Sequence, residues 1–239
     1  MEKFIQLPTP DRYEINGILN WKEESDKLII FVHGFTWSMN EAHYYCAKEF
    51  FIEQWYDVFR FNLYTDGDKT RKLRNCTVKI HAQDIVTVLK HYSEYKEIYL
   101  VWHSLAWPCF VNVSKYPINV EKIIFWDPAF EMKSTGEKIY LDNSKYMYSS
   151  SWKHIEISSK MREEFLYDNF IWKLENHSFS TERMFIVYAD GDRHVKHKSV
   201  TDWLWIESHV IVWVNHGFTQ QGKYTELFEK TLEFINRMK

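Results

Sequence analysis

Glycine is scarce in this chain, 7 of 239 residues, so each one present is a candidate for a backbone position that side chains resist. Cysteine is scarcer still. Cys46, Cys76 and Cys109 lie far apart with no C-x-x-C pair, which excludes a disulfide framework and a thiolate metal site. They read as buried or half-buried free thiols of a reducing, cytoplasmic compartment. Long apolar runs are missing too. LIIFV (28–32) and IIFW (123–126) are strand-length, whereas a membrane-spanning helix needs about 20 apolar residues. The opening MEKFIQLPTPDR has no basic region leading into an apolar run, so no secretory signal is expected. Nor is there a basic excess: 30 Lys and Arg face 33 Asp and Glu, for a net charge of −3. With no basic tract, electrostatic binding of nucleic acid is excluded.

What the chain has in quantity is aromatic and aliphatic mass, 45% apolar and 18% aromatic, beside 26% charged residues. That composition describes one ordinary globular domain. RYEINGILNW (12–21) reads as a hairpin turning at Asn16-Gly17. KLIIFV (27–32), YDVFRFNL (56–63), EIYLVW (97–102), EKIIFW (121–126), RMFIVYA (183–189) and HVIVWV (209–214) read as strands. Their nearly continuous apolar character is that of strands covered on both faces. Residues 39–54, 77–95 and 225–238 have helical spacing, and a helix begins at Trp107-Pro108. Alternating strands and helices predict an α/β fold, a mostly parallel central sheet flanked by helices.

The segment from 131 to 180 breaks the rhythm. It is polar, rich in Ser, Lys and Tyr, and holds one amphipathic helix candidate over 158–176. It is too long for an ordinary connection and reads as a small helical lid inserted into a core of residues 1–130 and 181–239.

Four polar signals follow four of the strands, at the edge where open parallel sheets place ligands. They are FVHGF (31–35), HSLA (103–106), ADGDRHV (189–195) and NHGF (215–218). Each alone is weak. Together they supply Ser, Asp and His in that order, and this set resembles the α/β-hydrolase superfamily over nearly the whole chain. In that resemblance HGF is the oxyanion loop, and Ser104 is the nucleophile at a strand-to-helix elbow. Asp192 is the acid and His216 the base. The elbow departs from the family's G-x-S-x-G, since Trp102 and Ala106 replace its glycines. An indole at 102 must either displace a neighbour or line the pocket beside Ser104.

The resemblance implies a carboxylesterase-like serine hydrolase acting on a small-molecule ester through an acyl-enzyme, with no cofactor and no metal. A thioesterase, a carbon–carbon bond hydrolase, or a non-catalytic ligand-binding protein on the same fold remain open readings. A serine is a weak nucleophile until a base takes its proton. His216 is that base, and Asp192 holds its tautomer. The backbone N–H groups of Phe35 and Leu105 form the oxyanion hole, with the helix dipole behind Leu105. His33 orients the loop, and His103 packs or hydrogen-bonds beneath the turn. Trp37, Trp102, Trp107 and Trp126 are candidate pocket walls. Asp127, after the 121–126 strand, is the alternative acid, and Asp190 shares the neighbourhood of Asp192. His194 and His197 form an H-x-x-H pair without a third ligand pattern, too little for a metal site. Oligomeric state is not fixed by the sequence.

Overall fold

The computed structural model of the protein describes residues 1–113, 115–149, 154–191, 198 and 202–237. Eight strands form the central sheet: β1 (Glu2–Pro8), β2 (Glu14–Asn20), β3 (Lys27–Val32), β4 (Asp57–Phe61), β5 (Glu97–His103), β6 (Val120–Trp126), β10 (Met184–Ala189) and β11 (Glu207–Ile211). Their order is β1-β2-β4-β3-β5-β6-β10-β11. The β1–β2 and β2–β4 pairs are antiparallel, and every other pair in this sheet is parallel. The expected mostly parallel sheet is therefore present.

Side-chain parity along the central strands builds two cores. Leu28, Ile30, Val32, Ile98, Leu100 and Trp102 project into one. Ile29, Phe31, Tyr99, Val101, Ile124 and Trp126 project into the other. Helix α1 (Ala42–Glu53) and the closing helix α7 (Lys223–Asn236) cover the second face. Helix α2 (Val78–His91) and the single-turn α3 (Trp107–Phe110) cover the first. Thr77 caps α2, its side chain accepting from the Ile80 N–H at 3.0 Å. The three thiols are free. No described helix is long and apolar enough to cross a membrane.

Two expectations change. Asn16-Gly17 is not a turn: β2 runs through it, paired with β1 at Ile5 and with β4 at Phe61, and the hairpin turns over residues 9–13. The glycine is there for space, because a Cβ would stand 2.3 Å from the Phe59 ring and 2.8 Å from the Arg60 carbonyl. The inserted segment is also not simply helical. It holds α4 (Met132–Glu137) and a separate antiparallel sheet of β7 (Ile139–Asp142), β8 (Lys145–Ser149) and β9 (His154–Ile157). The expected 158–176 helix is two helices, α5 (Ser159–Tyr167) and α6 (Phe170–Glu175). Asp168 is extended between them, and Asn169 caps the second, accepting from the Trp172 N–H at 3.0 Å.

Gly17→Val should destabilise the protein by about 1–3 kcal/mol, since the Phe59 ring and a strand carbonyl must both move. Urea melts check this; an unchanged midpoint would mean that the β2–β4 contact is loose.

Candidate active site

Strand β5 ends at His103, and the next residue, Ser104, has φ +56°. A non-glycine residue in the left-handed region stores strain and turns the chain sharply. Ser104 starts one turn of 3-10 helix (Ser104–Ala106), followed by the four residues of α3. The helix behind Leu105 is thus a single turn, and its dipole is small. Crowding at the elbow is relieved from the neighbouring loop. At Gly34 a Cβ would stand 2.9 Å from the Ser104 Cβ and 3.1 Å from the His103 carbonyl, so the close-approach glycine is Gly34.

Trp102 is fully buried on the face of β5 opposite His103, its indole edge-on to Phe110 at 6.1 Å. Trp107 and Trp126 are buried as well. Trp107 donates its N–H to the Ala129 carbonyl at 2.7 Å, and Trp126 donates to Thr231 Oγ1 at 3.0 Å. These three tryptophans are core residues, which corrects their expected place in a substrate pocket. Trp37 is different: half-buried, it lies edge-on to the His216 ring at 5.8 Å.

His216 lies in the loop after β11. Asn215 ties that loop, accepting through Oδ1 from the N–H groups of Gly217 (3.2 Å) and Thr219 (3.1 Å). His103 Nε2–H donates to the His216 carbonyl at 3.0 Å, and the two rings lie 4.7 Å apart. Ser104 Oγ donates to His216 Nε2 at 2.7 Å, and His216 Nδ1–H donates to Asp127 Oδ2 at 2.5 Å. Asp127 itself is fully buried, with φ +44° just after β6, and its Oδ1 accepts from the Ala189 N–H at 3.1 Å. The carboxylate on the imidazole is therefore that of Asp127, the alternative acid. Asp192, favoured by spacing, lies outside the described residues, as do His194 and His197. Asp190 is occupied elsewhere, accepting from the Val214 N–H at 3.1 Å.

The peptides carrying the two expected oxyanion donors are pinned by their carbonyls. His33 Nε2 accepts from the Leu63 N–H at 3.0 Å, so the proton is on Nδ1, which donates to the Gly34 carbonyl at 2.9 Å. Trp37 N–H donates to the same oxygen at 3.2 Å. The Ser104 carbonyl accepts from the Ala129 N–H at 3.3 Å. In a trans peptide the N–H points opposite to the carbonyl, so these bonds also fix the directions of the Phe35 and Leu105 N–H groups.

No protein-family model and no curated protein matches the sequence. Solved structures do. Est1E from Butyrivibrio proteoclasticus with bound ferulic acid superposes with a TM-score of 0.77 at 17% identity, covering 98% of this chain and 100% of that one. The α/β hydrolase GrgF from Penicillium sp. sh18 gives 0.76 at 13% identity, covering 99% and 98%. The mouse α/β hydrolase domain-containing protein 10 gives 0.71 at 16%, covering 98% of each chain. The chain has the α/β-hydrolase fold.

Within that fold the inserted segment packs on the loop that bears Phe35. The Phe35 ring meets Tyr148 at 5.1 Å and Phe165 at 5.5 Å. Glu164 accepts from the Val78 N–H at 2.6 Å, and Ser158 Oγ donates to the Cys76 carbonyl at 2.6 Å. Sequence reading placed Ser158, Glu164 and Phe165 on a helix candidate, but helical spacing alone does not say which loop the helix packs against. That reading missed His43, which lies buried with its ring 4.8 Å from His103. Burial lowers the pKa of His43 to about 3, helped by the nearby His216, and burial lowers that of His81 to about 3.

Both histidines are neutral in the folded chain, whereas unfolded histidine binds a proton near pH 6.5. Between about pH 6.5 and 4.5 the unfolded state therefore binds more protons, and stability falls with pH by up to about 1.4 kcal/mol per unit for each group. Urea melts across that window should show this slope, and His43→Phe should remove one proton's share of it. A slope unchanged in His43→Phe would mean that His43 is charged or exposed when folded.

Proposed function

We propose that the protein is a serine hydrolase that cleaves a carboxylic ester through an acyl-enzyme. The observation that carries this reading is the chain of hydrogen bonds from Ser104 to His216 to Asp127, built on a serine held at positive φ. His216 Nε2 takes the Ser104 proton as Oγ bonds to the ester carbonyl carbon. The oxygen of that carbonyl becomes negative and is held by the N–H groups of Phe35 and Leu105. The tetrahedral centre collapses as the C–O bond to the alcohol breaks, and the alcohol leaves with the proton from Nε2. A water, deprotonated by Nε2, then releases the acid and restores Ser104. Asp127 stabilises the imidazolium at each proton transfer. Its burial keeps the carboxylate from exchanging His216 for solvent. The inserted segment is the lid, with its aromatic side chains against Phe35.

The substrate is a small-molecule ester, in line with the esterase domain from Rhodothermus marinus among the structural neighbours. The location is the cytoplasm, where three free thiols stay reduced.

A fluorophosphonate probe should label the wild-type protein, and Ser104→Ala should abolish both labelling and ester turnover while the fold stays intact. Turnover retained in Ser104→Ala would remove the serine mechanism. Asp127→Asn should lower turnover by about 10⁴, the scale known for a triad acid. Asp192→Asn should lower it by less than about tenfold, roughly 1.4 kcal/mol of barrier. The reverse ranking, read from steady-state rates on p-nitrophenyl acetate, would return the acid to Asp192.

A further inference from the structure

The Phe35 loop follows β3 and the His216 loop follows β11, four strands away in the sheet order and so roughly 19 Å along it. The oxyanion donor and the base therefore need a link that the sheet does not give. Trp37 lies between them and meets each side with a different part of itself.

Its backbone belongs to the oxyanion loop. Trp37 N–H closes a turn onto the Gly34 carbonyl at 3.2 Å, and within that turn Thr36 has φ +66°. A β-branched residue is strained there and stays only where its neighbours hold it. The hold is at Trp37. The Tyr64 hydroxyl donates to its carbonyl at 3.3 Å, and its ring packs on His43 at 5.2 Å and on His103 at 4.6 Å. The ring itself reaches the base. A Cβ at Gly217, next to His216, would stand 3.3 Å from the ring-tip Cη2, so the indole lies against the backbone that carries the imidazole. The Trp37 and His216 rings are 5.8 Å apart and near-perpendicular. His103, packed on Trp37, carries the same constraint, its Nε2–H on the His216 carbonyl at 3.0 Å. Resting on the proposed ester hydrolysis, we propose that Trp37 is a positioning residue. It couples the oxyanion loop to the His216 loop and sets the reach of His216 Nε2 toward Ser104 Oγ and the leaving oxygen.

Proton transfer needs Nε2 within about 2.6–3.2 Å of each oxygen. A displaced His216 loop delivers the proton poorly, and the damage depends on how much the leaving group needs it. p-Nitrophenolate departs as a stable anion. Phenolate is the stronger base and departs more readily with the proton from Nε2. A side chain that only supports folding would instead lower the rate of every ester by one factor.

The test compares kcat/KM for phenyl acetate and p-nitrophenyl acetate, with thermal melts for folding and the p-nitrophenolate burst to count working sites. Trp37→Leu should lower kcat/KM on phenyl acetate by about 10²-fold, the scale of a misplacement of about 1 Å at a reacting group. Its loss on p-nitrophenyl acetate should be smaller by about fivefold or more. Trp37→Phe, which keeps a ring between His43 and His103, should stay within about tenfold of wild type on both. Gly217→Ala disturbs the same contact from the other side, its methyl meeting the ring tip and the Thr219 methyl at 3.3 Å. It should show the same bias against phenyl acetate. Trp37→Leu decides where that variant folds, and Gly217→Ala decides where it does not. Equal losses on the two esters in the deciding variant, or rates within about threefold of wild type, overturn the positioning role, while wild-type turnover leaves the serine hydrolase standing. No wild-type turnover of either ester, together with no fluorophosphonate labelling, overturns both.

Discussion

A single carboxylate, Asp127, ties together the strand ends from which the site is built. It leaves β6, which lies between β5, the strand that ends in Ser104's elbow, and β10. A fully buried charge is unfavourable by several kcal/mol unless hydrogen bonds surround it. Asp127 receives one from the Ala189 backbone and one from the His216 ring, while its own N–H donates to the Val187 carbonyl at 2.7 Å. The same contacts that solvate the carboxylate therefore hold the His216 loop against the sheet. The packing of that loop and the Ser104–His216 contact rest on one group.

Around that centre the chain uses aromatic bulk where related elbows use glycine. Trp102 fits beside Ser104 because strand parity sends its indole into the α3 face, while the close approach to the Ser104 side chain occurs at Gly34. The other face of the elbow is a stack of rings. Trp37, His43 and His103 lie at 4.6–5.2 Å from one another, and His103 continues to His216. His43 adds no formal charge to that stack: burial lowers its pKa to about 3.

The parallel sheet was legible because strands covered on both faces carry unbroken apolar runs, and the meeting of Ser104 with His216 was legible because each follows such a run. The acid was not. Asp127 sits in Trp-Asp-Pro, which reads as a turn, and the spacing around Asp192 looked better. Only the sheet order, with β6 beside β5, brings Asp127 to the imidazole. Tryptophan roles were also hidden in composition, although parity with Leu100 and Ile124 marks Trp102 and Trp126 as core. Asn16-Gly17 looked like a turn because the Phe59 ring that requires the glycine comes from a strand 42 residues later. His81 shares the buried face of α2 with Val78, Ala82 and Ile85, a signal present in the helical spacing.

The central claim is that Asp127 and His216 make Ser104 a nucleophile that carries the acyl group between two half-reactions. Rapid mixing with p-nitrophenyl acetate, acid quench and peptide mass analysis tests it directly. The account predicts a burst of p-nitrophenolate close to one equivalent per chain and an acetyl group on Ser104 in the quenched protein. Turnover without an acetyl group on Ser104, or an acetyl group on another residue at the same rate, would contradict it.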